Sequence, residues 1–122
     1  MILVDTSVWI DHLRGGDERL VTLLNSGQVL MHPFVIGELA CGNLRNRKEV
    51  LTLLKDLPKA PIATDNEVLF FIERHALMGR GIGYVDAHFL AAATLNESPR
   101  LWTRDKRLRT TADLLGFAYE VN

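Results

Sequence analysis

Four acidic residues stand in sequence surroundings that do not suit a carboxylate. Asp5 directly follows the apolar run MILV, Asp105 follows the apolar segment LWT, Glu38 lies in HPFVIGELACG and Asp86 lies in GYVDAHFLAAATL. A carboxylate buried among apolar groups needs a partner charge or a bound cation, and several carboxylates close together raise one another's pKa values. A hard divalent cation with oxygen ligands relieves both problems, so these residues indicate a site for Mg²⁺ or Mn²⁺.

The elements that would position these acids alternate between short strands and longer helices. The apolar segments typical of buried strands are 2–4, 29–31, 101–103 and 117–121. Helical spacing predicts helices on either side of Gly15 and Gly16, from His32-Pro33 to about Gly42, over 49–57, from Thr64 to Leu77, from Tyr84 to Leu95, and before Gly116. This alternation predicts the α/β class, with a short and mostly parallel central sheet flanked by helices on both faces.

The predicted topology places two of the acids at one edge of the sheet. In open α/β sheets ligands bind beyond the carboxyl ends of the strands, and both Asp5 and Asp105 follow a predicted strand. Glu38 lies on the apolar stripe of its helix that includes Val35, and Asp86 shares a helical face with Phe89. We therefore expect Glu38 and Asp86 to point to where their helices pack.

Each acid taken alone also has a simpler explanation. Asp5 would suit the N-cap of a helix that starts near Thr6, Asp86 would suit the positive end of a helix dipole, and Asp105 would suit a surface ion pair with its basic neighbours. Glu38 gains nothing from a cap or a dipole in the middle of its helix. The joint placement of the four acids favours a shared site.

Length and composition favour one compact domain over residues 1–122. Cys41 is the only cysteine, which excludes an internal disulfide, fits a reducing cytoplasm and predicts a buried, inert thiol. No apolar stretch has the length of a membrane span, and the N-terminus lacks the features of a secretion signal. The net charge is −1, but if four of the 15 acids hold a cation, the 14 basic residues outnumber the others and suit a polyanionic partner.

The order of these motifs resembles that of PIN-domain ribonucleases, and more narrowly of VapC-type toxins from bacterial toxin–antitoxin pairs. The matching motifs are Asp5-Thr6-Ser7 after the first strand, Ile36-Gly37-Glu38-Leu39 on a helix, Asp86 on a helix that runs into Ala91-Ala92-Ala93, and Thr103-Arg104-Asp105 after a late strand. Each motif is short, but the ordered set covers nearly the whole chain. The resemblance implies a PIN-like fold.

The resemblance also implies a site and a reaction. Asp5, Glu38, Asp86 and Asp105 would bind Mg²⁺, with Mn²⁺ as a substitute, as one or two ions. The hydroxyl groups that would orient a ligand or water belong to Thr6, Ser7 and Thr103. The implied reaction is hydrolysis of phosphodiester bonds in structured RNA of the tRNA or rRNA class, leaving 5′-phosphate and 3′-hydroxyl ends. The implied partners are RNA, a cognate antitoxin protein and a second copy of the chain.

Basic residues around the acids are expected to bind the RNA backbone. They are Arg14, Arg45, Arg47, Arg80, Arg104, Lys106 and Arg107. In this interpretation Asp105 faces the metal while its basic neighbours face phosphates. No histidine is needed, because the four histidines show no shared spacing typical of acid–base catalysis.

Two alternatives belong to other functional classes. A phosphoacceptor receiver domain is also α/β with an acidic Mg²⁺ pocket, but it needs paired acids after the first strand, and here Thr6 follows Asp5. A PIN-like module that binds RNA or protein without catalysis is the second alternative, and the intact set of four acids speaks against it.

Overall fold

The computed structural model describes residues 1–120, which form three strands and seven helices. In chain order they are β1 (Ile2–Val4), α1 (Thr6–Gly15), α2 (Glu18–Asn25), β2 (Val29–Leu30), α3 (Pro33–Ala40), α4 (Arg47–Lys55), α5 (Asp65–Arg74), α6 (Tyr84–Thr94), β3 (Leu101–Trp102) and α7 (Lys106–Leu114).

The strands form a parallel sheet in the order β2–β1–β3. Leu3 is at the centre of the sheet, opposite Leu30 on one side and Leu101 on the other. Every strand residue is buried, although neighbouring residues of a strand point to opposite faces, so helices or loops cover both faces. The α/β class with a short parallel sheet is confirmed. All three strands direct their carboxyl ends to one edge, from which the α1, α3 and α7 segments depart.

The edges of the sheet differ from the prediction. The predicted strand 117–121 is wrong in its described part, because only Ala118 pairs, in a single bridge with Leu101. The short β3 offers Leu101 alone for this pairing, through hydrogen bonds to Phe117 O and from Tyr119 N. Residues 121 and 122 lie outside the described part of the chain. At the opposite edge a bridge that the sequence did not predict joins Met31 to Lys59.

Capping groups fix where the helices begin. The predicted capping box of α5 is present, since Thr64 Oγ1 accepts from Glu67 N at 3.1 Å and Glu67 Oε1 accepts from Thr64 N at 2.9 Å. This helix ends at Arg74, three residues before the predicted end, because Ala76 adopts a φ of 51°. At the start of α3, His32 Nδ1 accepts from Phe34 N at 3.0 Å, and Pro33 occupies the first turn as predicted.

Helix α6 crosses the interior. All residues from 87 to 93 are buried, and the helix contacts α5 and β3. Its sequence in this stretch, AHFLAAA, is apolar nearly all round, as a buried helix requires. The one polar member, His88, points Nε2 at Asp65 Oδ1, 3.2 Å away, and Tyr84 donates to the same oxygen at 2.7 Å. The packing of α6 fixes the position of its first turn, which carries Asp86.

One further expectation is wrong. Cys41 follows the last turn of α3 and is exposed, whereas a buried thiol was predicted. The residues of α3 that face the core are Val35 and Leu39, which lie on another side of the helix. Within residues 1–120 no helix is both long and apolar enough to cross a membrane.

Candidate active site

Asp5 lies at the carboxyl end of β1 and is also the N-cap of α1. The side chain is buried, and its Oδ2 accepts hydrogen bonds from Ser7 Oγ and Thr103 Oγ1, both at 2.7 Å. The backbone N–H of Ser7 adds a longer one at 3.4 Å. No donor within residues 1–120 bonds to Oδ1, so the helix cap uses Oδ2 and leaves Oδ1 without a protein donor.

The segment 103–105 is tied to the start of α1 by a chain of hydrogen bonds. Thr103 Oγ1 lies 3.3 Å from Ser7 Oγ and accepts from Asp105 N at 3.1 Å. Ser7 Oγ accepts from Arg104 N at 3.0 Å. The hydroxyl groups of Ser7 and Thr103 therefore connect the residues that follow β1 with those that follow β3.

Asp105 is the N-cap of α7 and is exposed. Its Oδ1 accepts from Leu108 N at 3.0 Å. The alternative of a surface ion pair does not hold, because no basic side chain in the described chain pairs with Asp105. The carboxylate stabilises the helix start and leaves its second oxygen free.

Glu38 lies in the middle of α3 and accepts a hydrogen bond from Thr6 Oγ1 at 2.5 Å through Oε1. The expectation that its carboxylate points into the packing of the helix is wrong, because Glu38 is exposed. The apolar residues of α3 that pack are Val35 and Leu39, and Glu38 lies at the boundary of that stripe. The bond from Thr6 still links α3 to α1 at the acidic site.

Asp86 is half-buried in the first turn of α6, where Oδ2 accepts from Gly83 N at 3.1 Å. Burial raises the pKa of Asp86, the Gly83 hydrogen bond lowers it, and the negative charges of Asp5, Asp105 and Glu38 raise it further. The net pKa lies above the ordinary value of an aspartate. The negative charges of the other three acids therefore all act on Asp86.

The charge of this site is uncompensated within the described residues. None of the four carboxylates forms an ion pair with a basic side chain. The donor set consists of carboxylate and hydroxyl oxygens, which Mg²⁺ and Mn²⁺ prefer. From residue 1 to 120, no three His, Cys, Asp or Glu side chains are grouped so that they alone could hold a metal ion. The type of donor still suits Mg²⁺, because that cation normally keeps several water ligands and is bound by one or two carboxylates.

A groove of about 680 Å³ opens beside Glu38 between α1, α3 and the α3–α4 loop. Arg14 and Arg45, two of the basic residues singled out from the sequence, line it together with Glu38. Its walls also carry the apolar side chains of Ile10 and Leu13. The lining of the groove thus includes basic side chains, apolar side chains and one of the four acids.

The other basic candidates are placed differently. Arg47 donates to the carbonyl oxygens of Gly42 and Ala40 and so caps the C-terminal end of α3. Arg80 Nε donates to Ala76 O at 3.3 Å. Lys106 opens α7 and is exposed.

Arg107 lies against the loop that precedes α6. A Cβ atom at Gly81 would be 2.7 Å from Arg107 Cδ, so the absence of a side chain at Gly81 makes room for the arginine. Gly81 also has a φ of 77°, which other residues rarely adopt. Arg107 thereby lies between two segments that carry site acids, the start of α7 and the loop before α6.

Arg104 has two partners that sequence reasoning missed. Its guanidinium forms ion pairs with Asp11 on α1 and with Asp17, the N-cap of α2. Burial opposes ionisation of Asp17, yet the Leu20 N–H and the Arg104 charge lower its pKa below the ordinary value. No sequence signal could have revealed these pairs, because their members are 93 and 87 positions apart.

Comparison with known proteins gives two results. Residues 2–114 match the PIN domain. The chain is 51% identical over 118 residues to Ribonuclease VapC32 of Mycobacterium tuberculosis, both from strain CDC 1551 / Oshkosh and from strain ATCC 25618 / H37Rv. In each case the alignment covers 97% of this chain and 95% of the relative.

Proposed function

The chain belongs to the PIN-domain family, and from that premise we propose that it is a metal-dependent endoribonuclease of the VapC type, the toxin of a type II toxin–antitoxin pair. Family membership leaves no place for the phosphoacceptor alternative. PIN-domain nucleases generally depend on divalent metal ions, and the relatives are named as ribonucleases.

The observation that supports this proposal most directly is the uncompensated acidic site at the carboxyl edge of the sheet. Asp5, Glu38 and Asp105 all raise the pKa of Asp86, and no basic side chain from residue 1 to 120 neutralises them. Repulsion of this kind opposes ionisation of Asp86 in the folded protein, which suits a binding role better than a structural one.

Asp5, Glu38, Asp86 and Asp105 would hold Mg²⁺ or Mn²⁺, as one or two ions. When bound, such a cation lowers the pKa of a coordinated water and offsets the charge that builds on the scissile phosphate. The reaction adds water across one phosphodiester bond. The water oxygen bonds to phosphorus and the bond between phosphorus and the 3′ oxygen breaks. The phosphate stays on the 5′ oxygen of the downstream fragment, and the 3′ oxygen of the upstream fragment takes up a proton from the water.

The protein's own residues prepare this site before RNA arrives. Ser7 and Thr103 hold Oδ2 of Asp5 and so leave Oδ1 for a ligand. Thr6 holds Oε1 of Glu38 in the same way, and the Gly83 N–H holds Oδ2 of Asp86. Each carboxylate thus keeps an oxygen without a protein donor, and its orientation costs little further entropy on binding.

The RNA backbone would contact the basic residues on either side of the acids. Arg14 and Arg45 lie in the groove beside Glu38, and Lys106 and Arg107 lie at the start of α7. Structured RNA of the tRNA or rRNA class is the proposed substrate, because a folded RNA presents phosphates at fixed positions to such separated charges.

The proposed protein partners are a cognate antitoxin and a second copy of the chain, in the cytoplasm. Large apolar side chains remain exposed in the described chain, among them Leu53, Ile62, Leu69 and Phe70. Large apolar side chains that are more than half exposed suit contacts with another protein.

Cleavage of structured RNA by the purified protein tests the proposal. We expect cuts in Mg²⁺ or Mn²⁺ that leave 5′-phosphate ends, full inhibition by EDTA, and recovery when the metal is restored. Glu38→Gln should lower the rate by about tenfold or more. Glu73→Gln removes the same charge from an exposed position of α5, which carries none of the four acids, and should leave the rate unchanged. Binding of RNA without any cleavage would favour the non-catalytic alternative, and cleavage that resists EDTA would contradict the metal site.

A further inference from the structure

Arg104 stands between two residues of the acidic site, Thr103 and Asp105, but its side chain points away from them. One terminal nitrogen of the guanidinium donates to Asp11 and the other donates to Asp17. The guanidinium carbon also lies 5.9 Å from the ring centre of the buried Trp102. The side chain therefore bridges the end of β3, the outer face of α1 and the first turn of α2.

The backbone of the same residue reaches the acidic site directly. Arg104 N donates to Ser7 Oγ at 3.0 Å, and Ser7 Oγ donates to Asp5 Oδ2 at 2.7 Å. Asp105 N, one residue further, donates to Thr103 Oγ1 at 3.1 Å. A shift of the Arg104 backbone would consequently move the donor on Ser7 and the position of Asp105 together.

The charge on the Arg104 guanidinium is already matched by two carboxylates. Asp17 is mostly buried, with 16% of its side chain exposed, so solvent weakens this pair less than it weakens a fully exposed one. Isolated surface ion pairs contribute little, but a planar guanidinium that engages two carboxylates at once forms a small network with a fixed geometry. A guanidinium in this position offers a phosphate little net attraction.

We propose that Arg104 is a positioning residue and not a phosphate ligand. Its ion pairs with Asp11 and Asp17 hold its backbone, and with it the Ser7 hydroxyl and Asp105, in place. The inference rests on the proposed ribonuclease function. It replaces the expectation from the sequence that Arg104 binds the RNA backbone. It also gives Asp11 and Asp17 a part in positioning, although neither belongs to the proposed acidic site.

The acidic partners provide the sharpest test, because the two explanations predict opposite results for them. Asp11→Ala removes an exposed carboxylate, and Asp17→Asn keeps an oxygen that can cap Leu20 N. Each single variant removes one of the two partners of the guanidinium, the double variant removes both, and each makes the surface more positive. If Arg104 bound phosphate, KM for RNA would stay the same or fall and kcat would not change. If Arg104 is a positioning residue, kcat should fall by about tenfold with KM within about twofold, and more in the double variant.

Substitution of Arg104 itself adds a second comparison. Arg104→Lys keeps the positive charge but cannot engage two carboxylates with one planar group. We expect it to lower kcat about as much as Arg104→Ala, whereas a phosphate ligand would tolerate lysine. Arg109→Ala is the matched control, since Arg109 pairs with Glu120 and is similarly exposed, at 41% against 39% for Arg104. The control should change neither kcat nor KM.

The melting temperatures of all variants are measured first. They distinguish a variant that fails to fold from one that folds with Ser7 and Asp105 out of position. The proposal is overturned if Asp11→Ala and Arg104→Lys fold and retain the wild-type kcat, or if the variants raise KM while kcat stays constant. Failure of the ribonuclease proposal is distinguishable, because then the wild-type protein itself cuts no RNA with Mg²⁺ or Mn²⁺ present.

Discussion

Asp5 and Glu38, two members of the proposed metal site, are held in different ways. Asp5 is 6% exposed, follows a central strand, and has one oxygen fixed by hydroxyl groups from two separate segments. Glu38 is exposed on the surface of α3 and has one hydroxyl partner, Thr6. The position of Asp5 is fixed by the sheet, whereas the position of Glu38 depends on how α3 packs against α1.

This contrast separates two ways in which a small fold can hold the carboxylates of the proposed site. Strand ends provide positions that the core determines, because β1 and β3 cannot shift without breaking the packing of residues such as Leu3 and Leu101. A helix surface provides a position that can adjust to a ligand. We therefore expect substitutions around Asp5 to reduce cleavage more than substitutions around Glu38.

The largest effect is expected from Asp5→Asn. We expect cleavage to fall by at least about a hundredfold, because this carboxylate is both a proposed metal ligand and the centre of the hydroxyl network. Mn²⁺ at about one hundred times its Kd should raise the melting temperature of the wild type by roughly 5 to 10 °C and should leave this variant unaffected. Differential scanning fluorimetry with and without Mn²⁺ checks this.

The control for Asp5→Asn is Asp113→Asn, which removes an exposed acid from α7. It should keep both the cleavage rate and the Mn²⁺ shift. If Asp5→Asn instead kept the Mn²⁺ shift, Asp5 would be a structural cap, and the proposed ligand set would lose its central member.

An intermediate effect is expected from a matched pair of hydroxyl deletions. Thr103→Val removes the donor to buried Asp5, and Thr6→Val removes the donor to exposed Glu38, with the same change in shape. We expect Thr103→Val to lower kcat by about ten- to a hundredfold and Thr6→Val by less than tenfold. Equal losses of kcat in the two variants, measured in the same cleavage assay, would show that the support of Asp5 and the support of Glu38 matter equally.

The smallest effect is expected from Asp86→Asn, measured as stability without metal. Because the pKa of Asp86 is raised in the folded state, its ionised form opposes folding above that pKa. The variant should therefore melt a few degrees higher than the wild type near pH 7, roughly 2 to 4 °C. As the pH falls through the raised pKa towards 3.8, the folded wild type takes up a proton before the unfolded chain does, and the difference should shrink.

A melting temperature that is lower for Asp86→Asn at every pH would contradict this electrostatic account. The asparagine can still accept the Gly83 hydrogen bond through its amide oxygen, so loss of the cap is not expected to obscure the result.

The sequence predicted the elements well where local signals were strong. Thr64 and Glu67 define the start of α5 by themselves, and Pro33 after His32 defines the start of α3, because a cap and its first turn are local. Prediction was poorer where pairing partners were needed. The bridge at Lys59 and the single bridge at Ala118 depend on which neighbour the short strands offer, and no local signal encodes that.

The sequence also indicated four acids for one site, but for a reason that holds only in part. Asp5 is buried and Asp86 is half-buried, as their apolar surroundings suggested, whereas Glu38 and Asp105 are exposed. An apolar neighbourhood in the sequence does not fix the side of a helix on which a given residue lies. The exposed thiol of Cys41 illustrates the same limit, because it follows the same apolar segment.

The sequence by itself determined the acids, their order along the chain, the strands that precede Asp5 and Asp105, and the helix start at Asp5. Those features depend on residue type and on short-range patterns. Only the tertiary structure decided that the four charges act on one another at Asp86, and that Arg104 engages Asp11 and Asp17. Contacts between residues far apart in the chain depend on how helices and strands pack, and the free energy of that packing belongs to the whole fold.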